Sequence, residues 1–292
     1  MWALLALLVV TQAKNLLPSD ADVAATIQTA IHAQINPKNL TVTVTRKSNL
    51  DEDLQHLEIS MSGFKVTDMP FAALSVDDTK PVVAAKPAKK HPTTSLEKQP
   101  ALLQPSTKDY RIVTAHVVCS DFYIKDLKVA RLELNIAEGR IPRAGIGTNQ
   151  AVLSAAREVT GTITLAEDDI TTFLILLNTL PVQSPNVRIT KEHVTINGNT
   201  PWVVLKVPIT IPVAVTGNIS ARNGAVLYLD NPTLNIELMN MPKAVADKIL
   251  KNLNPLVDLN AALILHVPIT IASTSTEERK LILTGSLGYP KP

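Results

Sequence analysis

The stretch Val207-Pro-Ile-Thr-Ile-Pro-Val-Ala-Val-Thr-Gly-Asn-Ile-Ser-Ala221 decides how this chain folds. Val207, Ile209, Ile211, Val213 and Val215 recur at a period of two, which turns all five side chains to one face of a β-strand. No charge interrupts that face. Pro208 and Pro212 fall on the other face and cannot donate to a ladder, so they predict an edge strand, or one whose pairing is interrupted. With Val203 included, residues 203–221 read as the longest strand. It ends near Asn223-Gly224, a dipeptide that favours a tight hairpin.

The same alternation extends outward in both directions. Upstream, Thr41–Arg46, Leu54–Met61, Tyr110–Cys119, Leu127–Ile136 and Val187–Ile196 each place apolar side chains on one face and polar ones on the other. In Leu127–Ile136 the apolar positions Val129 and Leu132 are three apart, which predicts a bulge. Downstream, Leu234, Ile236 and Leu238 form another face, and Leu263–Ile271 and Leu281–Leu287 close the chain as strands. Val207-Pro-Ile-Thr-Ile recurs as Val267-Pro-Ile-Thr-Ile, so the two strands are expected to fill equivalent places in one sheet.

Three helices interrupt the strands. Ser19 caps the first, with Asp22 at the capping-box position and Asp20 favoured by the helix dipole. Val23, Ile27, Ile31 and Ile35 make a narrow stripe along it, and Asn36-Pro37 ends it. The second is expected to start near Thr164, whose hydroxyl and Glu167 match a capping box. Its apolar face is Ile170, Phe173, Leu174 and Leu177, and Pro181 ends it. The third begins at Pro242, with Val245, Ile249 and Leu253 on one side.

Two segments stand apart. Trp2–Val10 is an unbroken apolar run, too short for the ~20 residues that span a bilayer. It fits the core of a secretory signal with Ala13 at the cleavage edge, so residues 1–13 are expected to be a signal peptide or anchor and the protein exported. Residues 76–108 carry five prolines and six lysines without an apolar period, which predicts a disordered insertion. The basic positions between residues 80 and 98 suit an anionic membrane surface. Residues 14–75 and 109–292 then form a single domain.

Composition narrows the function. Aromatics are 3% of the chain and the net charge is +2, which argues against a nucleic-acid binder, because such proteins use dense basic patches and stacking platforms. Hydrophobic residues reach 46%, almost all aliphatic, a surface suited to acyl chains. One cysteine, Cys119, makes neither a disulfide nor a zinc site and reads as a small buried hydrophobe. No Gly-x-Ser-x-Gly elbow or phosphate-cradling glycine loop is present. The six histidines lack paired-ligand spacing, and His116 and Cys119 sit at odd separation, on opposite strand faces. Glu167-Asp168-Asp169 is the densest carboxylate cluster and reads as a match to a helix N-terminus. The sequence therefore predicts no catalysis, cofactor or metal.

With few β-α-β alternations, these elements predict an α+β fold: a long, curled, mainly antiparallel sheet wrapped around amphipathic helices. Smooth aliphatic faces with few aromatics to fill them imply an apolar slot. Its expected lining is Val207, Ile209, Ile211, Val213 and Val215, with Val245, Ile249 and Leu253 from the third helix and Leu265, Val267 and Ile269 from the later strand. The alternative is a structural or scaffolding protein whose core is filled.

Several segments resemble the LmeA-like phospholipid-binding family of bacterial envelope proteins. They are Gly161-Thr-Ile-Thr-Leu-Ala-Glu-Asp-Asp-Ile170, the Val207–Asp230 hairpin, Met241-Pro-Lys-Ala-Val, Asn254-Pro-Leu-Val-Asp-Leu259 and Leu283-Thr-Gly-Ser286. The first helix and Leu57–Ser62 with Gly63-Phe64 also fit. The resemblance implies a relative of tubular lipid-binding domains, exported, with phospholipid as its partner and a role in envelope lipid handling.

Overall fold

A computed structural model describes residues 19–47, 53–66, 110–141, 153–177, 180, 182–204, 207–236, 243–263, 267–289 and 291–292, and within these not the side chains of 202–204, 207–208, 243–245 and 248. The signal, the 76–108 insertion, Pro181, Leu238, Pro242 and Leu265 of the sequence reading lie outside the described residues, as do the side chains of Val207 and Val245. In chain order the elements are α1 (Asp20–Ile35), β1 (Asn39–Arg46), β2 (Leu54–Ser62), β3 (Lys65–Val66), β4 (Tyr110–Ile124), β5 (Leu127–Ile141), β6 (Ala155–Ala166), α2 (Glu167–Leu177), β7 (Gln183–Ile189), β8 (Val194–Val204), β9 (Val207–Arg222), β10 (Val226–Asn235), α3 (Lys243–Leu253), β11 (Val257–Asp258), α4 (Leu259–Leu263), β12 (Ile269–Glu277) and β13 (Lys280–Leu287). This is the β-rich α+β fold with a curled sheet that the alternation predicts.

The strands form two sheets. One has the order β1-β2-β4-β5-β6-β13-β12 with β3 added beside β4, and the other β11-β10-β9-β8-β7. Every pairing is antiparallel except those of β2 and β3 with β4. The sheets meet where β12 passes β9: Thr274 Oγ1 donates to the Ile219 carbonyl at 2.7 Å and the Ile271 amide to the Gly224 carbonyl at 2.8 Å. α1 covers the β1 end, with Val23, Ile27, Ala30 and Ile31 buried. Its capping box forms as expected, and Asp20 pairs with the guanidinium of Arg46.

The larger sheet curls through two rows of stacked bulges. Inward-facing residues normally recur every second position. At one level, however, the step is three on four neighbouring strands: Leu54 to Leu57, Ile112 to Ala115, Ile136 to Gly139 and Ala156 to Val159. The residues skipped on these strands, Gln55, Val113, Glu138 and Arg157, would be mutual partners, and none of them pairs in the ladder. A second row steps from Met61 to Phe64, Cys119 to Phe122 and Val129 to Leu132. Gly63, Asp121 and Glu138 take positive φ of 69°, 48° and 50° at these rows. Each bulge bends its strand, and because all strands bulge together the pairing offsets are the same on both sides of each row. The bulge predicted between Val129 and Leu132 is thus one member of a row.

Four expectations need correction. Thr164 does not cap α2: it lies within β6, paired with Arg131 and Ile282, because ladders on both sides extend that strand to Ala166. The long strand does not begin at Val203. Val203 and Val204 belong to β8, which turns back so that Val204 pairs with Val207 of β9. β9 is also not an edge strand but lies between β8 and β10. Among the described residues β10 pairs with β9 from Ala214 onward, and Pro208 and Pro212 pair with Val203 and Asn199 of β8. Finally, Leu263–Ile271 is not one strand. Leu263 ends α4, whose first turn is capped by Asp258 Oδ1 accepting from the Ala261 amide at 3.2 Å, and β12 starts only at Ile269. The two Val-Pro-Ile-Thr-Ile segments consequently sit in different sheets.

Candidate functional site

Among the described residues, one hollow has an aliphatic lining. It opens on the concave face of the larger sheet, holds about 20 Å³ of free volume, and is walled by Leu132, Leu134, Ile163, Ile269, Ile271, Leu283 and Leu287. Its cause is a single cross-strand row. Leu134 of β5 pairs with Gly161 of β6, Gly161 with Gly285 of β13, and Gly285 with Ile271 of β12. Two adjacent members of that row have no side chain, so the face dips between two aliphatic walls. Neither position admits a larger residue. A Cβ on Gly161 would stand 2.5 Å from the Glu133 carbonyl oxygen, and one on Gly285 would stand 2.2 Å from that of Thr270. Ile163, one step along β6, is only partly buried, so the apolar floor reaches solvent.

The residues expected to line a slot divide between this hollow and the packed core. Ile269 is on the hollow wall. Ile211, Val213 and Val215 of β9 are buried at 6%, 3% and 0% exposure and belong to the continuous core, with Ile209 packed against it. Leu253 and Val267 are core residues too, and Ile249 is buried. The sequence reading missed the rest of the hollow, Leu132, Leu134, Ile163, Ile271, Leu283 and Leu287 with Gly161 and Gly285, although Gly161 and Gly285 stand inside two of the segments that carry the family resemblance. A glycine at an inward position of an otherwise aliphatic strand is the signal that marks them.

Two larger hollows, of about 320 and 350 Å³, are polar. One is bordered by Asn186, Asn197, Asn199 and Asn235, the other by Arg111, Glu138, Arg140 and Arg157. The carboxylate cluster of α2 is structural. Glu167 Oε2 accepts from the Ile189 amide at 2.6 Å, Arg279 Nη2 donates to Asp168 at 2.9 Å, and Lys128 Nζ lies 3.8 Å from Asp169. Burial raises the Asp169 carboxyl above its ordinary value, against the pull of Lys128. Burial likewise pushes the Cys119 thiol up, which keeps it protonated and unreactive. His116 faces away from Cys119 and bonds Glu133 at 3.1 Å, and this bond together with Arg131 lowers the Glu133 carboxyl. Among the described residues no three metal-ligating side chains converge, and no helix is long and apolar enough to cross a membrane.

Neither a curated protein nor a solved structure matches the chain. The family model for LmeA-like phospholipid-binding proteins does match, over residues 85–286 and so well over half the sequence. That family is a lipid-binding one and not a known enzyme family. Apart from Leu287, the wall of the aliphatic hollow lies within the matched span, as do the two glycines that create it, and the chain belongs to the LmeA-like phospholipid-binding family.

Proposed function

We propose that this protein is exported to a bacterial cell envelope, where it binds phospholipid by seating acyl-chain carbon in the hollow over Gly161 and Gly285, and holds or transfers that lipid. One observation carries the reading: two segments far apart in sequence that both resemble the family, 161–170 and 283–286, meet as the Gly161–Gly285 pair at the floor of the aliphatic hollow. Each methylene withdrawn from water contributes about 0.8 kcal/mol, so a short stretch of one chain gives useful affinity. The hollow's free volume of about 20 Å³ is far below the roughly 300 Å³ of an enclosed ligand site, so acyl-chain carbon lies along its aliphatic walls and the headgroup stays outside.

The alternative, a scaffolding envelope protein with a filled interior, draws on the tight packing of Ile211, Val213 and Val215. Purification without detergent, followed by native mass spectrometry and lipid extraction, separates the two. The lipid-binding reading expects bound phospholipid in the wild type and none in Ile163→Asp, because a carboxylate in an aliphatic hollow is costly to desolvate. A bare polypeptide mass for the wild type, or full lipid occupancy in folded Ile163→Asp, refutes it.

A further inference from the structure

The polar hollow at the far end of β4, β5 and β6 is bordered by Arg111, Arg140, Arg157 and Lys291 against one carboxylate, Glu138. It lies on the convex face, since the chain neighbours Ile112, Gly139, Ile141 and Ala156 all point into the core. Arg111 and Arg140 are direct cross-strand partners. Like charges placed so are destabilising unless something neutralises them. Arg157 bonds Glu138 at 2.7 Å, and Arg111 approaches Asp53 only to 4.0 Å. Among the described residues, counting Asp53 still leaves a cationic surplus. The decisive feature is Arg140. Its Nε is buried without a hydrogen-bond partner, which costs free energy that an incoming acceptor would recover. Its backbone is held firmly, since the Ser154 amide and hydroxyl both donate to the Arg140 carbonyl, at 2.9 and 3.2 Å.

We propose that this cleft is an anion site that takes a phosphate group between Arg140 and Arg111, with Arg157 at its side. Guanidinium groups match phosphate oxygens with paired donors, and three on adjacent strands present them on a rigid base. The site lies on the opposite face of the sheet from the aliphatic hollow and does not rest on it.

The test uses the full chain with Arg140→Gln and Arg111→Gln, the second at a half-exposed position where the fold is insensitive. Inorganic phosphate is titrated by amide NMR, and binding to phosphatidylglycerol and phosphatidylcholine vesicles is read by flotation. Saturable phosphate shifts around residues 111, 140 and 157 that weaken about tenfold or more in both variants support the site for any phosphate group. Flotation with phosphatidylglycerol alone that both variants lose, without measurable phosphate binding, supports it with a lipid headgroup as the source. Should Arg140→Gln misfold, Arg111→Gln decides by the same readings. No phosphate saturation together with variant-insensitive flotation overturns the site. Loss of co-purified lipid in folded Arg111→Gln overturns its independence from the aliphatic hollow.

Discussion

Two aliphatic faces of this molecule point inward and end differently. On β9, Ile211, Val213 and Val215 follow one another without a gap and are closed over completely. On β6 and β13 the same alternation runs through Val159, Ile163, Leu165, Leu281, Leu283 and Leu287, but Gly161 and Gly285 fall side by side within it. The first face is core and the second leaves a hollow. Room for a guest is therefore set by which side chains are missing from one cross-strand row, and not by how long or smooth an apolar face is.

Several substitutions would break or sharpen that contrast. The largest effect is expected from Val215→Asp, which puts a charge where nothing can solvate or pair it. It should cost more than about 4 kcal/mol and abolish folding, as urea denaturation with circular dichroism would show. A normal melt would mean that the β9 face is not core. Gly285→Ala comes next. Its Cβ has no room beside the Thr270 carbonyl, and a loss of about 1–3 kcal/mol in chemical denaturation is expected as the row spreads. Ile163→Trp fills the hollow from a partly exposed position. It should change stability by less than about 1.5 kcal/mol yet remove bound lipid from the native mass spectrum. Retained lipid there would move the binding surface elsewhere.

The smallest effect concerns α2, which packs on both β5 and β7 and so joins the two regions. The folded protein raises the Asp169 carboxyl, mainly by burial, so its neutral form is the one the fold prefers. The stability it contributes is present below its unfolded value and is lost as pH rises through the folded one. Asp169→Asn should match the wild type in acid and become slightly more stable toward neutral pH. Denaturant midpoints compared between about pH 3 and about pH 7 give the answer, and a variant less stable at neutral pH would show that the Lys128 pair dominates.

Much of the fold was legible because strand alternation and capping are local. The Ser19–Asp22 capping box, the buried faces of β1, β2 and β4, and the Asn223-Gly224 turn follow from neighbouring residues, and both turn residues do take positive φ. The misreadings were those that pairing decides. Thr164 had a good local cap within reach, but two ladders held it in β6. Pro208 and Pro212 suggested an edge, yet β8 and β10 both pair with β9 from Ala214 onward. The hollow was beyond a strand-by-strand reading for the same reason. Gly161 and Gly285 become neighbours only in the sheet, and the aliphatic face that looked most suited to a guest is the one its surroundings fill.

The stacked bulges carry an evolutionary consequence. Removing Asp121 alone would send Phe122 and Ile124 into water and strand Phe64 without its stacking partner, 4.8 Å away. Removing Ala130 as well would restore the match between β4 and β5, and a third deletion at Gly63 would restore β3. Length changes in this sheet are thus tolerated only as concerted sets drawn from neighbouring strands: relatives should lose or gain these residues together.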